Sequence, residues 1–166
     1  LAYCVVILIR GNRVAQMKFS MHAEWKTILI RFIIVTGLIF LVLQFVLDLP
    51  LFTNPASNRK LMMMVLVYPV LSVLPQEIIY REFFFYRYER LFKDHRVLLL
   101  LNIVAFSFAH IYFESWVVVF FTLAGGLIFA LTFLKTRSLL VVCIEHSLYG
   151  LLILCTGLSE YFYKAF

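Results

Sequence analysis

The sequence predicts an all-α protein: a polytopic transmembrane helical bundle of about six spans, the first of them truncated. Three observations predict it. The composition is 64% hydrophobic and 14% charged, with a mean hydropathy of +0.98, whereas soluble domains run about half apolar and a quarter charged. Apolar runs of about 20 residues, the length that crosses a bilayer, recur along the chain. The cations collect in the short connectors between those runs. A chain of 166 residues has too little interior to hide this much apolar surface from water.

The elements follow in order. Leu1–Ile9 reads as the tail of a first span, so the sequence is expected to begin inside a helix. Arg10–Lys26 is a basic connector, and Thr27–Leu47 is a second span interrupted only by Arg31, expected to snorkel to the interface. Asp48–Lys60, with Pro50, Asn54, Pro55, Ser57 and Asn58, has loop chemistry. Leu61–Phe92 starts as a membrane helix, then runs through Pro69 and Pro75 into Gln76-Glu77-Ile78-Ile79-Tyr80-Arg81-Glu82 and a band of aromatics. Either proline would bend or break a helix. Val97–Phe113, Trp116–Leu134 and Leu139–Gly157 complete the spans. The expected organisation is N-terminal membrane helices and connectors over 1–60, a catalytic helical core over 61–157 and a tail over 158–166.

A net charge of +6 would suggest nucleic acid in a soluble protein. Here the cations cluster at Arg10, Arg13 and Lys18, at Arg87, Arg90, Lys93 and Arg96, and at Lys135 and Arg137. Alternate connectors are the basic ones, the pattern of cytoplasmic loops under the positive-inside rule. Topology explains the charge, and no nucleic-acid partner is expected. Cys4, Cys143 and Cys155 lie within apolar runs without metal or redox spacing.

Ionisable side chains in a bilayer cost at least about 2.5–3.5 kcal/mol each at its centre, so each needs a physical reason. Glu77 and Arg81 are four apart on one helix, with the acid N-terminal to the base, the favourable order for an ion pair. His110 ends the stripe Asn102, Phe106, His110, and His146 lies in the last span beside Glu145, one turn before Tyr149 and Gly150. Taken singly, each has a plain reading. The Glu77–Arg81 pair could belong to a solvated surface continued by Glu82, Arg87, Glu89 and Arg90, and each histidine could be a hydrogen-bonded packing residue. Taken together, an acid, a base and two histidines on three spans of a small bundle converge on one polar site more readily than they scatter into lipid.

Such a site can hydrolyse a peptide bond. A carboxylate with a histidine deprotonates water, and a second histidine donates to the oxyanion that forms. Arg81 would hold Glu77 in place. Glu77, His110 and His146 are also a ligand set for catalytic zinc with one open position. Spacing does not separate the two mechanisms, although the HExxH helix common in zinc proteases is absent, so no cofactor is the expectation.

At these residues the chain resembles the CPBP family, the CAAX proteases and bacteriocin-processing enzymes also called Abi-type proteases. Its motifs Glu-Glu-xxx-Arg, Phe-xxx-His and His-xxx-Asn correspond to Gln76-Glu77-Ile78-Ile79-Tyr80-Arg81, to Phe106-Ser107-Phe108-Ala109-His110 and to His146-Ser147-Leu148-Tyr149-Gly150. The resemblance covers residues 61–157 and implies an intramembrane endopeptidase acting on a membrane-associated CAAX-type prenyl protein or peptide precursor. Its expected setting is a bacterial or archaeal cell membrane, with lipid and that substrate as partners. Two positions depart from the pattern. Gln76 stands where the family has its water-activating Glu, and Gly150 where an Asn would help bind the oxyanion. Either Glu77 has taken over as base, aided by Gln76 and turned inward at Pro75, or the site is impaired and the protein serves as a membrane immunity or scaffold protein. An engineered Glu→Gln change is a third origin for Gln76. The implied roles are Glu77 as base, His110 positioning water, His146 and Tyr149 on the oxyanion, and Arg81 fixing the carboxylate. A small transporter would use the same buried charges, but the inverted repeat common in transporters is not visible.

Overall fold

A computed structural model describes residues 1–13, 17, 25–52 and 65–163. Most of the expected connector 10–26 and of the loop 48–60, with the first residues of the third span, lie outside the described residues.

The described residues are helical, with no strand. Helix α1 is Ala2–Arg10, α2 is Trp25–Phe45, α3 is described over 65–88, α4 is His95–Phe108, α5 is Trp116–Thr136, α6 is Leu139–Leu154 and α7 is Ser159–Tyr163. Among the described residues, three helices are long and apolar enough to cross a membrane: Trp25–Phe45, Trp116–Thr136 and α4 with the turn after it, His95–Phe113. α6 is apolar but has 16 residues, shorter than a full span.

The polarity of the bundle is that of a protein dissolved in lipid. Ile33, Leu38, Leu100 and Phe120 are exposed, while Glu77, Arg81, Asn102 and Glu145 are fully buried. Lipid solvates the apolar exterior, and the ionic groups find partners inside. Phe85, Leu98, Phe106, Phe129, Phe133, Val142 and Tyr149 form the core between α3, α4, α5 and α6. α4 and α5 pack closely because Gly126 presents no side chain: a Cβ there would lie 3.3 Å from Phe106 and 3.5 Å from the Ile103 backbone. Ser107 Oγ, 2.9 Å from Thr122 Oγ1, ties the same two helices.

Pro69 and Pro75 do not break α3. Two π-helical segments, Pro69–Val73 and Ile78–Phe83, carry the helix through the region. Leu74 N–H bonds back to Pro69 O, one residue further than the α pattern. A wider turn accommodates the missing proline N–H and re-aims the side chains that follow.

One further expectation is corrected, and one of the alternative readings falls. Arg31 does not snorkel to the interface: its guanidinium pairs with the fully buried Glu145 of α6 and donates to Thr132 Oγ1 of α5 at 2.5 Å. A charge with buried partners from two other helices is held inward. Glu82 is not part of a solvated surface, being 3% exposed and 4.0 Å from Arg13. Arg137 lies 3.6 Å from Glu89. Residues of the three basic connectors therefore meet the same end of α3.

Candidate active site

α3, α4 and α6 bring their polar residues to one place. Tyr68, Ser72 and Gln76 recur at four-residue steps along α3 and share a face. That face lines a cavity of about 770 Å³ together with His110, His146 and Tyr149. Most of the remaining wall is apolar, from Val35 and Ile39 of α2 to Phe121 and Phe129 of α5. A largely apolar cavity with a few convergent polar groups is the form of a ligand-binding site.

Glu77 is not on that wall. It is fully buried between α3 and α6, where its Oε1 accepts a hydrogen bond from His146 Nδ1 at 2.7 Å. Its Oε2 is 3.1 Å from Arg81 Nε. Arg81, also fully buried, donates to Asn102 Oδ1 at 2.7 Å and lies over the Phe106 ring at 5.1 Å. Asn102 in turn donates to the Tyr80 carbonyl at 2.5 Å. The chain Asn102–Arg81–Glu77–His146 thus runs from α4 through α3 to α6 and ends on a ring at the cavity. Phe129 stacks on that ring, centroids 4.4 Å apart at 18°, so the imidazole is fixed by one hydrogen bond and one ring face.

His110 is fixed differently. α4 ends at Phe108, and His110 N–H bonds to Ser107 O instead of continuing the α ladder. The Phe106 carbonyl, one of those a helix end leaves open, accepts from His110 Nδ1 at 2.8 Å. Carbonyls and carboxylates only accept, so Nδ1 carries the proton in both rings and Nε2 of each neutral imidazole keeps its lone pair. Both rings lie against Phe106, with centroid distances of 4.8 Å for His110 and 5.8 Å for His146.

The expected turning-in of Glu77 at Pro75 is therefore not what α3 does. Gln76 faces the cavity, its Nε2 donating to Ser72 Oγ at 3.0 Å, and Glu77 reaches the site through His146. Tyr149 is 6% exposed, its ring centroid 5.1 Å from that of Phe32 and 6.1 Å from that of Phe129. Among the described residues no group of three His, Cys, Asp or Glu side chains stands ready to hold a metal ion. The donors of the zinc alternative do not fit: one Glu77 oxygen faces His146 Nδ1 and the other faces Arg81.

Sequence reasoning missed two contributors. Phe129 carries no polar signal, and its stacking on His146 depends on how α5 packs against α6. Tyr68 lies two turns ahead of the polar motif, and only its four-residue spacing to Ser72 and Gln76 marks it.

The family model for type II CAAX prenyl endopeptidase Rce1-like proteins matches residues 58–152, more than half of the chain and all three motifs. No curated protein and no solved structure gives a significant match. With its apolar helices, the chain is an integral membrane protein, and it belongs to the Rce1-like family of type II CAAX prenyl endopeptidases, membrane proteases of the CPBP kind.

Proposed function

We propose that this chain is an intramembrane endopeptidase that hydrolyses a peptide bond of a membrane-associated CAAX-type prenyl protein or peptide precursor, within the helical core 61–157. The single observation that carries the reading is the Glu77–His146 contact of 2.7 Å at the edge of a cavity that His110 also lines.

In the neutral form of each ring, Nε2 is a base without a proton. One of them takes a proton from water as the water oxygen bonds to the scissile carbonyl carbon, and the resulting imidazolium returns that proton to the amine as the C–N bond breaks. Glu77 acts through His146: it holds the Nδ1–H tautomer and stabilises the imidazolium, as a carboxylate does behind a catalytic histidine. Arg81 and Asn102 keep the carboxylate in place. Gln76 supplies amide hydrogen bonds to the substrate in place of a second carboxylate. No step needs a metal ion. The apolar walls accept the hydrophobic part of a membrane-borne substrate.

The test is cleavage of a quenched S-farnesyl CAAX peptide in detergent by wild type, Glu77→Ala and His110→Ala. Loss in both variants supports the reading, and unchanged cleavage in either contradicts it. A second reading, a silent family member that binds without cutting, draws on the Gln76 amide facing the cavity. Proteolysis gained on Gln76→Glu from an inactive wild type would install that reading in place of the first.

A further inference from the structure

We propose that Tyr68 is a further catalytic residue of this site, its hydroxyl donating a hydrogen bond to the oxygen of the scissile carbonyl as negative charge develops there. The inference rests on the peptidase reading above and adds to it the group that binds the oxyanion.

The observations concern donors and space. With Nδ1–H of both histidines committed to Glu77 and to the Phe106 carbonyl, the Nε2 of each neutral ring is left with a lone pair, which suits a base and repels an oxyanion. One Gln76 N–H is directed to Ser72 Oγ, and Thr122 Oγ1 donates to the backbone carbonyl of Val118 at 2.8 Å. The buried Tyr149 hydroxyl is turned toward the Arg31–Glu145 pair. Tyr68 lines the cavity and stands edge-on to His146, with ring centroids 6.5 Å apart at 84°.

Its hydroxyl also occupies a place that α6 leaves open. Gly150 lies one turn beyond His146, on the same helix face. A Cβ on Gly150 would overlap the Tyr68 hydroxyl and lie 2.6 Å from its Cζ. Any side chain at 150 would thus displace the phenol, and glycine is what allows a hydroxyl from α3 to reach the turn of α6 that follows the histidine. Tyr68 and Gly150 form a complementary pair: one supplies a donor and the other the room for it. Removing one donor that binds a developing oxyanion costs about 10²–10³ in rate.

The test uses the full chain in detergent with the farnesyl peptide. Tyr68→Phe is expected to lower kcat about 100-fold with KM within about threefold, because the interaction is made only in the transition state. Tyr68→Ala/Gly150→Asn places an amide donor in the vacated volume and is expected to exceed Tyr68→Ala/Gly150→Leu, which fills it without a donor, by at least about tenfold. A merely structural role for Tyr68 would not separate those two. Binding of a phosphinate peptide, which carries the tetrahedral anionic centre, is expected to weaken about 100-fold in Tyr68→Phe. Binding of an uncleavable peptide without that centre should hold. Wild-type kcat in Tyr68→Phe, or equal rates for the Asn and Leu doubles, would overturn the proposal. If wild type cleaves no peptide, the peptidase reading fails by itself. In that case an unchanged phosphinate Kd in Tyr68→Phe, or no phosphinate binding by wild type, overturns the Tyr68 assignment as well.

Discussion

Glu77 Oε1 lies 2.7 Å from His146 Nδ1, so the acidic residue of one helix touches a cavity-lining group of another without lining the cavity itself. The carboxylate is fully buried, and Arg81 occupies its second oxygen at 3.1 Å. In the proposed mechanism this arrangement gives Glu77 two separable functions, one in catalysis and one in holding the bundle together.

Glu77→Gln keeps the size of the side chain but removes the charge behind His146. It should lower kcat by about 10³–10⁴ with little change in KM, measured by steady-state peptide cleavage. Glu77→Ala also strands the buried Arg81. Breaking one side of such a pair costs about 3–5 kcal/mol, so its thermal unfolding in detergent should begin well below that of wild type.

His110 is held by the Phe106 carbonyl and not by a carboxylate. His110→Ala should reduce kcat by about 10²–10⁴ while leaving the melting temperature close to wild type, since the main loss is one hydrogen bond at a helix end. A His110→Ala protein with normal kcat would remove that ring from the chemistry.

The Arg31–Glu145 pair joins α2 to α6 beside Thr132 and has no place in the proposed proton path. Glu145→Ala should destabilise the bundle by less than the about 3–5 kcal/mol of a fully buried pair, because Arg31 is partly exposed and keeps Thr132, whereas Arg31→Met/Glu145→Leu should recover most of that loss. Specific activity of the folded double variant should match wild type. Thermal melts and active-site-normalised rates decide both points.

Much of this was legible in the sequence, and the rest failed for physical reasons. Composition and run length are enough to identify a helical membrane protein, because lipid demands apolar surface whatever the packing. The spacing of Gln76, Glu77, Arg81, His110 and His146 was enough to bring them to one site, because ions in a bilayer must find one another. Which of two adjacent residues faces the cavity was not legible. Gln76 and Glu77 differ by about 100° on a regular helix, and two π-segments around Pro75 reset that phase. Arg31 was misplaced because its partner Glu145 lies 114 residues away, beyond any local pattern. Tyr68 escaped notice because a tyrosine in an apolar run carries no charge to explain.

Chelation should have no effect. Treatment with EDTA or 1,10-phenanthroline is expected to leave peptide cleavage unchanged, because the oxygens of Glu77 are engaged by His146 and Arg81. Loss of activity restored by added zinc would require a different arrangement of these residues.

The central claim is that Glu77 serves catalysis through His146, and a double-mutant cycle on kcat/KM measures it most directly. Wild type, Glu77→Gln, His146→Ala and the double variant are compared on the farnesyl CAAX peptide in detergent. If the two side chains act as one unit, the double variant is no slower than His146→Ala alone. Independent, multiplicative losses would contradict the claim, as would cleavage by His146→Ala at the wild-type rate.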